Sequence, residues 1–156
     1  MPPPRSRTVI SEFCRDLQRI LACVSQAVVL WRPQADDNFS IVLSEEPVRL
    51  DAYGEVIDLL VRLRVQVRAG LVVPLAYRYE LRDAQGKEII AWHLHDQQGQ
   101  RYPHLHTRLL PEQYDHVPTG IVGLADIVWM LVNESGVSAR RADWRTVLLP
   151  LLRRLH

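Results

Sequence analysis

Lysine is almost missing from this chain: of 19 basic residues only Lys87 is a lysine, and the rest are arginine. Genomic base composition alone can produce such a bias, although arginine's planar fork does suit phosphate and carboxylate groups. Cysteine is scarce too. Cys14 and Cys23 are nine residues apart in the first predicted helix, about 13 Å at 1.5 Å per residue. A disulfide needs Cα atoms within about 7 Å, which excludes a bond between them. No apolar run approaches the ~20 residues of a membrane span. No charged start followed by an apolar run and a cleavage site marks a signal peptide. The expectation is a cytoplasmic protein with no membrane partner. The formal net charge of +1 argues against a bulk electrostatic nucleic-acid binder but leaves room for a local basic patch. A phosphate loop, a GxSxG elbow and a CxxC pair are all absent.

What is present suits a globular protein. At 156 residues and 47% hydrophobic content, the chain is expected to form one α+β domain over residues 1–156. A domain of this length buries roughly 70% of its extended-chain surface, enough for a core without disulfides or a structural metal. The proline-rich start, residues 1–6, is expected to be disordered.

Periodicity outlines the elements. Val9, Phe13, Leu17, Ile20, Leu21 and Val24 recur at three- and four-residue steps, predicting a helix over Arg7–Gln26. Val28–Trp31 and Phe39–Ser44, separated by turn chemistry at Gln34–Asn38, predict a hairpin. Val56–Arg68 fits a helix through Val56, Leu59, Leu60, Leu63 and Val67. It also fits a strand through Val61, Leu63, Val65 and Val67, and the valines favour a strand for its second half. Pro74–Leu81, Glu88–His95 and Tyr102–Leu109 alternate as strands, with turns at Asp83–Gly86 and Gln97–Gln100, an antiparallel meander. A helix is expected from an N-cap at Thr119 to Asn133, stopped by Gly136, and a last helix from Asp143 to Arg154, bent or ended by Pro150. The fold class is therefore α+β: an N-terminal helix, an antiparallel sheet, then two C-terminal helices packed on the sheet.

Four of the six histidines fall within fourteen residues, as Trp92-His93-Leu94-His95 and Pro103-His104-Leu105-His106. On a strand, residues two apart share a face. His93 and His95 therefore point one way and their apolar neighbours the other, as do His104 and His106. A two-residue loop, Gln98-Gly99, pairs His93 with His104; a four-residue loop pairs His93 with His106 and His95 with His104. Either gathers four imidazoles on one side. A three-residue loop disperses them.

Histidine titrates nearest neutrality, so neighbouring rings can serve as general base and general acid. Metal-free RNA cleavage needs such a pair and a cation to steady the phosphorane. Arg78, Arg101 and Arg108 are candidates for the cation, with Tyr102 or Tyr79 as hydroxyl donor or base-stacking surface. Two other readings stand beside this one. The rings can be a solvated polar face, or they can ligate Zn or another divalent metal as neutral imidazoles, with His116 or Asp96 completing the set.

The segment Tyr77-Arg78-Tyr79-Glu80-Leu81-Arg82-Asp83-Ala84-Gln85-Gly86, then Ile89-Ile90-Ala91-Trp92-His93 and Pro103-His104-Leu105-His106, resembles the TumE family of toxin–antitoxin systems. The resemblance covers about residues 75–107. It implies a small bacterial toxin acting on RNA or translation and neutralised by a DNA-binding antitoxin encoded beside it. In this sequence His93-Leu94-His95 stands where members often carry an acidic or amide residue before adjacent histidines. The helix from Arg7 and the tail from Asp143 are additions. Together, residues and resemblance favour a metal-independent ribonuclease. His93 and His104 would be the acid/base pair, His95 and His106 their support, and Arg78, Tyr102 and Arg108 the substrate contacts. The alternative is a non-catalytic metal-binding or interaction module using His93, His95, His104 and His106.

Overall fold

In the computed structural model, residues 3–95, 102–107 and 117–152 are described. The α+β expectation holds. A helix α1 (Pro4–Leu21) is followed by strands β1 (Val29–Pro33), β2 (Asn38–Leu43), β3 (Val48–Ala52), β4 (Glu55–Arg68), β5 (Leu71–Arg82), β6 (Glu88–Leu94), β7 (His104–Thr107) and β8 (Val117–Pro118). Helices α2 (Leu124–Asn133) and α3 (Trp144–Leu148) and a 3-10 turn, Leu149–Leu151, close the described chain. No helix among the described residues is long and apolar enough to cross a membrane.

The strands form one antiparallel sheet in the order β1-β2-β4-β5-β6-β7-β8, and β3 pairs with β4 beyond the end of β2. The ambiguous stretch Val56–Arg68 is strand throughout. Its second half buries Val61, Leu63 and Val65 against the helices while Arg62 is exposed. Its first half, which also fitted a helix, is fixed by tertiary pairing: Leu59 lies between Val48 of β3 and Leu81 of β5. The β3–β4 and β4–β5 connections are two-residue turns, Tyr53-Gly54 and Ala69-Gly70, with positive φ at both positions. That is the mirror-image turn whose twist matches the flanking strands.

One sheet face carries the main core. Phe39, Ile41, Tyr77, Tyr79, Trp92 and Leu94 pack there with Ile10, Leu17 and Leu21 of α1 and Ile127, Val128 and Leu131 of α2. Burial of Cys14 in this layer pushes its thiol up to about 11, and Cys14 and Cys23 are both free thiols.

Several expected boundaries move. The helix begins at Pro4 rather than Arg7; proline is tolerated at a first helical position, where its missing N–H has no partner to lose. It ends at Leu21 rather than Gln26 because Gln18 takes the following chain. Its Nε2 donates to the Ala27 carbonyl (2.9 Å) and its Oε1 accepts from the Val29 N–H (2.8 Å). Thr119 does not cap α2. Its hydroxyl donates to the Gly120 carbonyl, and the helix starts after Gly123, whose N–H donates to Asp126 Oδ2 at 2.8 Å. Asp143 likewise makes no side-chain cap, because its carboxylate is held by Arg141 through two 2.8 Å bonds.

Candidate functional site

The four clustered histidines lie on the sheet face opposite the main core. Strand β6 pairs with β7 so that His93 faces His104 and Ala91 faces His106. This is the pairing of His93 with His104 that sets all four rings on one face; residues 96–101, which include the expected turn, lie outside the described residues. The rings of His93 and His106 are 4.5 Å apart between centroids, and His93–His95, His95–His104 and His104–His106 are 5.1, 5.2 and 5.1 Å apart.

This face is not the open polar surface that alternation implies. His104 has 0% exposure and His93 7%, and Leu60, Glu80 and Ala91 are buried beside them without joining the main core cluster. The imidazoles cover one another: His104 is flanked by His93, His95, His106 and the ring of Tyr102, 5.5 Å away.

Hydrogen bonding sets the state of the rings. His104 Nδ1 lies 3.1 Å from the Tyr102 carbonyl oxygen. A carbonyl only accepts, so Nδ1 carries the proton and Nε2 of the neutral ring offers a lone pair. That Nε2 is 3.1 Å from His106 Nε2. On the other side of His106, Nδ1 is 3.9 Å from Glu88 Oε1.

His93 differs from the other three. Both of its ring nitrogens are buried with no hydrogen-bond partner among the described residues. Leaving a buried polar group unsatisfied costs about 1–3 kcal/mol, so such a group calls for an explanation. Burial first, and then the positive charge that His106, His95 and His104 carry when protonated and that Arg78 carries throughout, takes its pKa down to about 4. At neutral pH the ring is uncharged.

One donor nitrogen from each of His93, His104 and His106 lies within 4.8 Å of the others. Two imidazole nitrogens bound to one tetrahedral zinc sit roughly 3.3 Å apart, close to the His104–His106 spacing. Neutral rings, one of them oriented by a backbone carbonyl behind it, form the usual donor set of a histidine-bound metal. His95 lies at the margin of the group, half-buried.

The expected substrate contacts fare unevenly. Arg78 stands directly across from His93, but its guanidinium is held by Glu80 through bonds of 2.5 and 2.6 Å. Arg82 holds the other oxygen of Glu80 at 2.5 Å. Burial pushes the Glu80 carboxyl up, yet the two arginines outweigh it and hold it below the ordinary carboxylate range. Tyr102 is exposed beside His104. Tyr79 cannot stack a base, because it is buried in the opposite face against Tyr77. Arg101, Arg108, Asp96 and His116 lie outside the described residues.

Arg62, Arg64 and Glu80 join this face of the sheet although no motif marks them. Alternation carried the signal: Arg62 and Arg64 flank Leu63, and Glu80 sits midway between Arg78 and Arg82 on one strand face. Comparison with known proteins found no matching family model, curated protein or solved structure.

Proposed function

We propose that the protein binds a divalent metal ion through His93, His104 and His106, with His95 beside the centre. The observation that carries this reading is His93, a neutral, buried imidazole with neither nitrogen hydrogen-bonded, within ligand reach of two further ring nitrogens. A metal ion would satisfy its lone pair and would replace the His106 proton shared with His104. An all-imidazole set suits Zn, Cu, Ni or Fe rather than Mg or Ca, which prefer oxygen. The test is elemental analysis of protein purified without a histidine tag. One equivalent of transition metal per chain is expected, and none in His104→Ala. A metal-free protein that also fails to take up added zinc would end this reading.

The metal-free ribonuclease of a TumE-like toxin, with RNA as substrate and a cognate antitoxin as partner, is the second reading. It is favoured by the 3.1 Å contact between His104 and His106 Nε2 atoms, where one ring can donate as the other accepts. Its requirement is access, since His104 is fully buried and a scissile phosphate must reach an acid and a base. RNA cleavage that persists in EDTA and vanishes in His104→Ala would favour this reading over the first.

A further inference from the structure

The site continues past the histidines into a line of arginines. Val42, Arg62, Arg78, His93 and His104 are successive cross-strand partners on β2, β4, β5, β6 and β7. Partners in direct register project from the same face, with neighbouring strands about 4.8 Å apart. The row therefore runs cation, cation, imidazole, imidazole across the sheet. In the next row, Ser40, Arg64 and Ala76 are partners. A shallow depression is lined by Ser40, Arg62, Arg64, Ala76, Arg78 and His95, so it reaches the histidine cluster at His95, whose ring is 5.1 Å from that of His93.

We propose that this depression is a phosphate-binding subsite, holding a phosphate group of a ligand that also reaches the histidine centre. The proposal rests on the histidine-centred reading above and adds the ligand's chemical class. Charge supports it. Glu80 is the shared partner of Arg78 and Arg82, so the carboxylate that holds Arg78 is divided between two guanidinium groups. Arg62 pairs with Glu46, but its side chain is 55% exposed in that pair and can turn toward an incoming anion. The donor set suits phosphate. Beyond the N–H groups bonded to Glu80 and Glu46, Arg78 and Arg62 carry further donors, and Arg64 and the Ser40 hydroxyl line the same depression; a terminal phosphate brings three oxygens and up to two charges to such a set. The unpartnered imidazole of His93, 7% exposed, stands next to Arg78 at the inner end of the row.

The experiment titrates inorganic phosphate into the full-length protein, once loaded with one equivalent of zinc and once stripped with EDTA. It is read by calorimetry and by the phosphorus resonance. Saturable binding is expected, weakened about tenfold by Arg62→Ala or Arg64→Ala, with zinc stoichiometry unchanged in both variants. A short single-stranded RNA is then added as competitor. Competition identifies the phosphate as a nucleic-acid backbone, and its absence identifies a small phosphate ligand; both outcomes retain the subsite. Zinc stoichiometry judges the metal centre separately, because arginine-dependent phosphate binding to stripped protein retains the subsite even where no zinc binds. No saturable binding in either form, or binding indifferent to both substitutions, overturns the proposal.

Discussion

His104 and His106, two residues apart on β7, hold their Nε2 atoms 3.1 Å from each other, while His104 Nδ1 is committed to the Tyr102 carbonyl. The ring behind this pair, His93, has no such commitment. The cluster is therefore arranged so that lone pairs converge, and metal binding would be expected to stabilise the fold rather than merely decorate it. With free zinc at about a hundred times its dissociation constant, the gain is about 2.7 kcal/mol, or roughly 5–10 °C in Tm for a chain of this length. A thermal melt with and without zinc checks this. In His104→Ala the zinc-dependent rise should vanish.

Replacing His93 should have opposite effects on the two forms. In stripped protein, His93→Leu removes a buried imidazole whose nitrogens lack hydrogen bonds, so stability should rise by about 1 kcal/mol. In the same variant zinc affinity should fall at least a hundredfold. Urea melts of stripped protein and a competitive zinc titration measure the two effects. A variant that loses stability without zinc and keeps its affinity would show His93 to be an ordinary packed side chain.

Glu80 should govern part of the acid sensitivity. Its folded-state pKa lies below the ordinary carboxylate range, held there by Arg82 and Arg78 against the cost of burial. The unfolded chain then binds the proton more readily. Stability from this group is complete above the unfolded pKa and is lost as pH falls through the lowered folded value. Glu80→Gln should flatten that acid slope. At neutral pH it should cost about 1–3 kcal/mol, less than the 3–5 kcal/mol of a fully buried pair, because the Arg78 and Arg82 side chains are 42% and 30% exposed. Urea midpoints between pH 7 and pH 3 provide the comparison.

The β4–β5 turn can be improved. Ala69 takes φ 49° ahead of Gly70 at 77°, and alanine in that left-handed conformation costs roughly 1–2 kcal/mol while asparagine tolerates it. Ala69→Asn should stabilise the protein by about 0.5–1 kcal/mol without changing zinc or phosphate binding. A denaturation midpoint that falls instead would mean the turn is not formed by these two residues.

The meander was the most legible part of the chain, because Tyr77, Tyr79 and Leu81 alternate with Arg78 and Glu80 over a long run and the Asp83–Gly86 turn follows at once. Strand β3 escaped notice: Val48, Leu50 and Ala52 alternate over only five residues and gain their meaning from pairing with β4, a tertiary event. The start of α2 moved because Thr119 bonds the Gly120 carbonyl and the helix opens after Gly123, whereas α3 opens directly after Asp143 as expected, with the Asp143 carboxylate held by Arg141 instead of capping it. Strand parity brought the histidines to one side of the sheet, but it carries no information on depth. Mutual shielding of the rings buries them, and only packing reveals that. The arginine row was harder still, since Arg62 and Arg78 are sixteen residues apart and become neighbours only through register.

Strand β7 has four residues, and its outer neighbour among the described strands, β8, has two. Among the described residues this margin is therefore held by few outer strand pairs. An ion held jointly by His93 on one strand and His104 and His106 on the next would act as a clasp there, fastening the hem of the sheet from its side chains where backbone pairing runs short.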